Sequence, residues 1–77
     1  MTVQDLNTLV GANIRRYRKS KGWYGRKLAK ETGLSDTAVS LHEHGRVFPS
    51  PESLLLYAYV LGVEVWQLFS RREECIG

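Results

Sequence analysis

The chain has one cysteine, two prolines and no long apolar run in its 77 residues. A lone cysteine, Cys75, excludes an internal disulfide. A membrane-spanning helix takes roughly 20 consecutive apolar residues, and every wholly apolar stretch here is far shorter. The opening Met-Thr-Val-Gln-Asp has neither the basic nor the apolar region of a signal peptide. These absences together predict a cytoplasmic chain with no membrane partner. Disorder is excluded by composition, because 43% of the residues are hydrophobic and 25% charged. A chain of 77 residues forms one small domain, 1–77. A core of that size supplies only about 3–5 kcal/mol net, so a self-associating surface is useful to it.

Acidic residues are missing altogether from 11–30, where eight basic residues stand: Arg15, Arg16, Arg18, Lys19, Lys21, Arg26, Lys27 and Lys30. The later half, 47–77, carries Arg71 and Arg72 against Glu52, Glu64, Glu73 and Glu74. The net charge of +3 therefore conceals a positive first half, for which a polyanion is the natural partner. A solvated helix face is the competing reading, and charge alone does not choose between them.

Helical spacing dominates the pattern. Val3, Leu6, Val10, Ile14 and Tyr17 recur at intervals of three and four, which predicts a helix over 3–21 with Thr2 as N-cap and Gly22 as its stop. A second helix fits 25–32, burying Leu28, Ala29 and Thr32 and ending at Gly33. Ser35 caps a third, 36–44, with Asp36 in its first turn and Gly45 behind it. Ser50-Pro51-Glu52 is a strong start signal for a fourth helix, 51–61, carrying Leu54, Leu55, Ala58 and Leu61. A fifth fits 64–71, offering Val65, Leu68 and Phe69, and 72–77 reads as a tail. No alternation of period two persists long enough for a strand. The expected fold is all-α: five helices around one core.

The second and third helices carry the functional signal. Two short helices that cross steeply need a small residue at their contact, and Ala29 supplies one. The turn between them favours positive φ, which Gly33 accepts. Leu34 and Val39 then pack back on Leu28. These are the requirements of a helix-turn-helix, whose second helix is held out for the DNA major groove. At about 100° per residue, Asp36, Thr37, Ser40, Leu41 and His44 share one face of that helix, and Ala38, Val39 and His42 the other.

On these residues the chain resembles the lambda-repressor-like (Cro/XRE-type) helix-turn-helix family. The matching segments are Ile14-Arg15-Arg16-Tyr17-Arg18, Lys27-Leu28-Ala29, Gly33-Leu34-Ser35, Val39-Ser40, Glu43-His44-Gly45, Pro49-Ser50, Leu54, and Ala58-Tyr59-Val60-Leu61-Gly62-Val63. The match runs from about Ile14 to Phe69, and the spacings between these segments agree with the family throughout. The resemblance implies a five-helix DNA-binding domain that acts as a dimer in transcriptional control. It also implies that Arg18 pairs with Glu43. Three departures stand out. Tyr24 and Gly25 replace the family's usual Ser or Thr followed by Gln at the start of the second helix. Leu41 occupies a position that is often polar, and His42 one that is usually apolar.

Base-reading candidates are therefore Asp36, Thr37, Ser40, Leu41 and His44, and phosphate candidates are Tyr24, Gly25, Arg26, Ser35 and Arg46. Asp36 has a dipole or capping role as its competing reading, and the others that of solvated helix or loop positions. Arg18, Leu28, Ala29, Gly33, Val39 and Glu43 read as structural, with a phosphate as a further target for Arg18. Trp23 and Tyr24 read as packing residues at the core edge. His42 and His44 lie two apart on a helix and so point different ways, which excludes a shared metal. No cofactor is implied, and Cys75 reads as a passive thiol in the tail.

Leu56, Tyr59 and Trp66 fall off the main apolar stripes, and together with Phe69 they form the expected interface of a homodimer. Completion of the monomer core is the alternative. The partner expected on these grounds is double-stranded DNA, bound by a sequence-specific regulator of repressor type. Two other functions compete: an antitoxin that also holds a protein partner, and an interaction module without DNA binding. No Ser/His/Asp or Cys/His set, phosphate loop or paired carboxylate suggests an enzyme.

Overall fold

A computed structural model describes residues 1–71. It contains α1 (Val3–Ser20), α2 (Gly25–Thr32), α3 (Asp36–Glu43), α4 (Pro51–Leu61) and a 3₁₀ helix (Val65–Phe69), with no strand among the described residues. The expected tail, with Arg72, Glu73, Glu74 and Cys75, lies outside the described residues. No helix among the described residues is long and apolar enough to cross a membrane.

The helix ends follow local chemistry. Thr2 and Asp5 cap each other reciprocally, at 3.1 Å to the Thr2 hydroxyl and 2.9 Å to the Asp5 carboxylate. At the other end α1 stops at Ser20, one residue before its expected last position, with Lys21 as C-cap. Ser35 Oγ accepts from the Ala38 N–H, and Ser50 Oγ from the Ser53 N–H with Pro51 behind it. Gly33 has φ +79°, and a Cβ there meets nothing within 4 Å. The backbone angle alone demands glycine at that turn.

The fifth element differs from its expected form. It is a 3₁₀ helix that stops at Phe69, not an α-helix over 64–71. The cause lies on α1. Asn13 Nδ2 donates to the carbonyls of Leu68 at 2.8 Å and Ser70 at 2.7 Å, the groups through which a helix would continue.

One apolar cluster joins all five elements: Val10, Ile14, Leu28, Ala29, Val39, Leu54, Tyr57, Ala58, Leu61 and Leu68. Two expected core positions are corrected. Val3 is 77% exposed, because the first turn of α1 projects past the cluster. Leu55 is 62% exposed, because α4 turns inward the row Leu54, Tyr57, Ala58 and Leu61, at intervals of three and four. Tyr57 brings a hydroxyl into the interior, and His42 meets it there with Nδ1 at 2.7 Å. The two rings stand nearly perpendicular, 5.6 Å between centroids. His42 is thus a satisfied core residue.

Where α1 crosses the end of α3, Gly11 leaves the room. A Cβ at Gly11 collides with the His42 carbonyl oxygen and comes within 2.7 Å of the Glu43 carbonyl oxygen. Alanine gains about 0.5–1 kcal/mol of helix propensity, but overpacking against rigid backbone costs about 1–3 kcal/mol. Gly11→Ala is therefore expected to lower stability by about 1 kcal/mol or more, read as a fall in the urea midpoint. Burial also holds the His42 pKa below its ordinary 6.5. Above pH 6.5 both folded and unfolded chains carry a neutral His42, which adds no pH dependence. Below it the unfolded chain takes a proton that the folded chain refuses, so stability falls with acid by up to about 1.4 kcal/mol per pH unit until the folded pKa is reached. Urea midpoints between pH 7.5 and 5 are expected to fall less steeply for His42→Leu combined with Tyr57→Phe than for the wild type.

Candidate nucleic-acid interface

Turn by turn, α3 is two-faced. Val39 and His42 are buried against the core and Ala38 is half-buried. Asp36, Thr37, Ser40 and His44 are exposed, and Leu41 is half-buried among them. His44 is the C-cap of α3 rather than its last residue, and its Nδ1 lies 2.8 Å from the Ser40 carbonyl oxygen. Asp36, Ser40 and His44 line one shallow cleft of about 300 Å³, whose far wall is Gly25 and Arg26. The helix-turn-helix thus brings the start of α2 alongside the exposed ridge of α3.

Arg18 fixes this arrangement. Its Nε lies 2.7 Å from Glu43 Oε2, and one terminal nitrogen donates to Oε1 at 3.0 Å. The other donates to the Trp23 carbonyl at 2.7 Å. The pairing that the resemblance implied is present as a two-point contact. Each of the guanidinium's three nitrogens is engaged and the side chain is only 11% exposed. Burial, with the Glu43 charge adding to it, pushes the Tyr57 phenol far above its ordinary 10. That hydroxyl stays protonated.

Arg26 borders the cleft, and Arg15 and Lys19 flank His44 on its α1 side. Arg15, Lys19, Lys21, Arg26, Lys30 and Arg46 are exposed. Arg46 follows the helix end, its backbone N–H held by the Leu41 carbonyl at 3.0 Å. Lys27 is partly neutralised by Glu31 at 3.0 Å. Trp23 is half-buried, with the Lys21 and Lys27 ammonium groups 5.2 and 5.7 Å from its ring. Tyr24 departs from its expected packing role: it is 83% exposed at the N-cap of α2 and makes no capping hydrogen bond. A bulky ring with no neighbour to cover it stays in solvent, and the backbone N–H groups behind it are left to outside partners. Ser35 spends its hydroxyl on the α3 cap. His42 points into the core and His44 into solvent, so the two do not converge.

A helix-turn-helix domain model matches residues 9–66. The chain belongs to that family. It is 35% identical to a hypothetical transcription factor of Neisseria meningitidis over 71 residues, 92% of this chain and 67% of that protein. An uncharacterized HTH-type transcriptional regulator of Sinorhizobium fredii, y4dJ, is 33% identical over 70 residues, 91% of each. Among solved structures, the hypothetical transcription factor NHTF from Neisseria superposes with a TM-score of 0.86 at 34% identity, covering 96% of this chain and 85% of that one. The restriction-modification controller protein C.AhdI from Aeromonas hydrophila gives 0.78 at 30% identity, covering 82% and 96%. The chain is a DNA-binding transcriptional regulator of the helix-turn-helix family, not an enzyme.

Several large apolar side chains of this helix-turn-helix protein remain in solvent. Leu56, Tyr59 and Trp66 are exposed, Tyr59 at 86%. Phe69 departs from them, being half-buried beside Phe48 with ring centroids 6.1 Å apart. Leu55, Val47 and Phe48 extend the exposed apolar set beyond the sequence-based selection. Val47 and Phe48 sit in the α3–α4 loop, where helical periodicity gives no signal.

Either Arg18→Ala or Glu43→Ala leaves a nearly buried charge without its partner. Each is expected to cost about 3 kcal/mol, and Arg18→Lys less, because an ammonium keeps the charge but not the fork. Chemical denaturation of the single and double variants measures the coupling, which is expected to be large and favourable.

Proposed function

We propose that this protein is a sequence-specific repressor that binds double-stranded DNA as a homodimer, with α3 lying in the major groove. The observation that carries the reading is the division of α3 into a buried face held by Val39, His42 and Glu43 and an exposed face bordered by Arg15, Lys19 and Arg26. A helix anchored on one side and bare on the other suits a groove about 12 Å wide. Asp36, Thr37, Ser40, Leu41 and His44 face the base edges. Tyr24, Gly25, Arg26, Ser35 and Arg46 flank the phosphates, with the free N–H groups at the start of α2 aimed at one of them. Leu56, Tyr59 and Trp66 join two copies, with Phe69 beneath them. A two-fold axis then sets the two α3 helices about 34 Å apart on a near-palindromic site. The protein acts in the cytoplasm by occupying a promoter site, and residues 1–77 work as one domain.

Cations on a polyanion release counterions, so affinity is expected to fall steeply with salt. Arg46→Ala is expected to weaken all duplexes alike and to reduce the salt slope by about one. Thr37→Ala or Ser40→Ala is expected to change which duplex is preferred. Selection from a random duplex pool, followed by fluorescence anisotropy at two salt concentrations, measures both effects. Binding of no duplex at all rejects the proposal. Trp66→Ala with Tyr59→Ala is expected to shift the sedimenting species toward monomer.

A further inference from the structure

The exposed face of α3 offers a narrow set of chemical groups. Asp36, Thr37 and Ser40 are exposed, His44 ends the ridge, and Leu41 is half-exposed between them. None of them is Arg or Lys, the usual readers of guanine, and none is Asn or Gln, which read adenine at two points. An ionised carboxylate only accepts hydrogen bonds. That of Asp36 is free of capping duty, because Ser35 Oγ takes the Ala38 N–H.

His44 becomes an acceptor through its backbone. A neutral imidazole has one donor and one acceptor nitrogen, and its neighbours decide which is which. Nδ1 lies 2.8 Å from the Ser40 carbonyl oxygen. A carbonyl only accepts, so the proton sits on Nδ1 and the lone pair on Nε2. The Ser40 hydroxyl, at 3.4 Å from the same Nδ1, is too far to reverse this. No side-chain substitution at Ser40 removes the main-chain oxygen that sets the tautomer. Leu41 adds a hydrocarbon surface, and Thr37 a methyl and a hydroxyl.

This inventory fits one kind of base pair better than the other. Guanine shows two acceptors in the major groove, N7 and O6, which meet the acceptors of Asp36 and His44 unfavourably. Adenine offers its N6 amino protons, and its partner thymine offers a methyl group. Cytosine N4 also offers a donor, but a G·C pair carries no methyl group, so only an A·T pair supplies both the donor and the apolar contact that this face of α3 can use. Resting on the DNA-binding reading above, we infer that α3 reads A·T pairs. Asp36 and His44 Nε2 accept from adenine N6, and Leu41 sits on a thymine methyl. Guanine is read, where it is read at all, from outside α3 by Arg26 or Arg46.

Duplex selection with the full chain, followed by anisotropy on base analogues of the best duplex, tests this. Replacing one thymine per half-site by uracil, which removes only the methyl, is expected to weaken the wild type roughly 3- to 10-fold and to leave Leu41→Ala unaffected. Replacing an adenine by purine, which removes only the amino group, is expected to weaken the wild type to a similar degree. That loss disappears in His44→Ala or Asp36→Ala. The analogues alter the DNA and leave the wild-type protein intact, so a variant that folds poorly does not blunt the test. A best duplex indifferent to loss of the methyl and amino groups overturns the inference. So does one whose affinity drops with 7-deazaguanine at a position assigned to α3. Either result leaves the proposed DNA binding standing, whereas selection of no duplex ends both.

Discussion

A single guanidinium holds three parts of the molecule together. Arg18 is supplied by α1, its two-point acceptor Glu43 by the last turn of α3, and its third acceptor by the Trp23 carbonyl between α1 and α2. The helix-turn-helix is thereby fixed at both ends against α1. A tight turn at Gly33 sets the angle between α2 and α3, but it does not set where the pair sits on the rest of the core. Lysine in place of Arg18 serves poorly, since one ammonium cannot satisfy two carboxylate oxygens and a carbonyl in a fixed fork.

The same crossing depends on a residue with no side chain. Gly11 admits the carbonyls of His42 and Glu43 to a distance at which any Cβ collides. Gln4, about two turns earlier on the α1 surface, reaches the Gly45 carbonyl at 3.0 Å. The C-terminal end of α3 is thus held by a steric fit, by the Arg18–Glu43 pair and by a side-chain amide. The N-terminal end has Ser35 as cap and Leu34 and Val39 as packing. This makes α3 a rigid ledge, which suits contact with a partner whose atoms are spaced regularly.

Most of this was legible before any coordinates, and the exceptions share a cause. Caps at Thr2, Ser35 and Ser50 and stops at Gly22, Gly33, Gly45 and Gly62 are local signals, and the helices end within two residues of them. Inward and outward faces of α3 followed from period alone. Tertiary contacts decided what sequence did not. Asn13 takes carbonyls from a segment 55 and 57 residues further along and halts the last helix as a 3₁₀ turn. Nothing in Val65–Phe69 announces that. Tyr57 lies between Leu56 and Ala58 in a run that is apolar throughout, so period could not choose its face over that of Leu55. Gly11 looks like any helix glycine until α3 is placed against it. Tyr24 failed for the opposite reason: an aromatic residue was expected to find cover, and its site at the start of α2 provides none.

The polarity of α3 is inverted at two neighbouring positions, and the pair explains how fold and recognition are kept separate. Histidine occupies the core at position 42 and leucine the outer face at position 41. His42 is tolerated because Tyr57, on the next helix, brings a hydroxyl to it, so the interior hydrogen bond is complete. Leu41 contributes its carbonyl to the Arg46 and Val47 N–H groups, a main-chain role indifferent to the side chain. Across the outer face the pattern is the same. Ser40 holds His44 through its carbonyl, and Asp36 and Thr37 form no side-chain bond to the core. Substitution on such a face changes stability by only a few tenths of a kcal/mol in general. The exposed groups of α3 are thus free to vary in chemistry while Arg18, Glu43, Gly11 and the His42–Tyr57 pair keep the ledge in place.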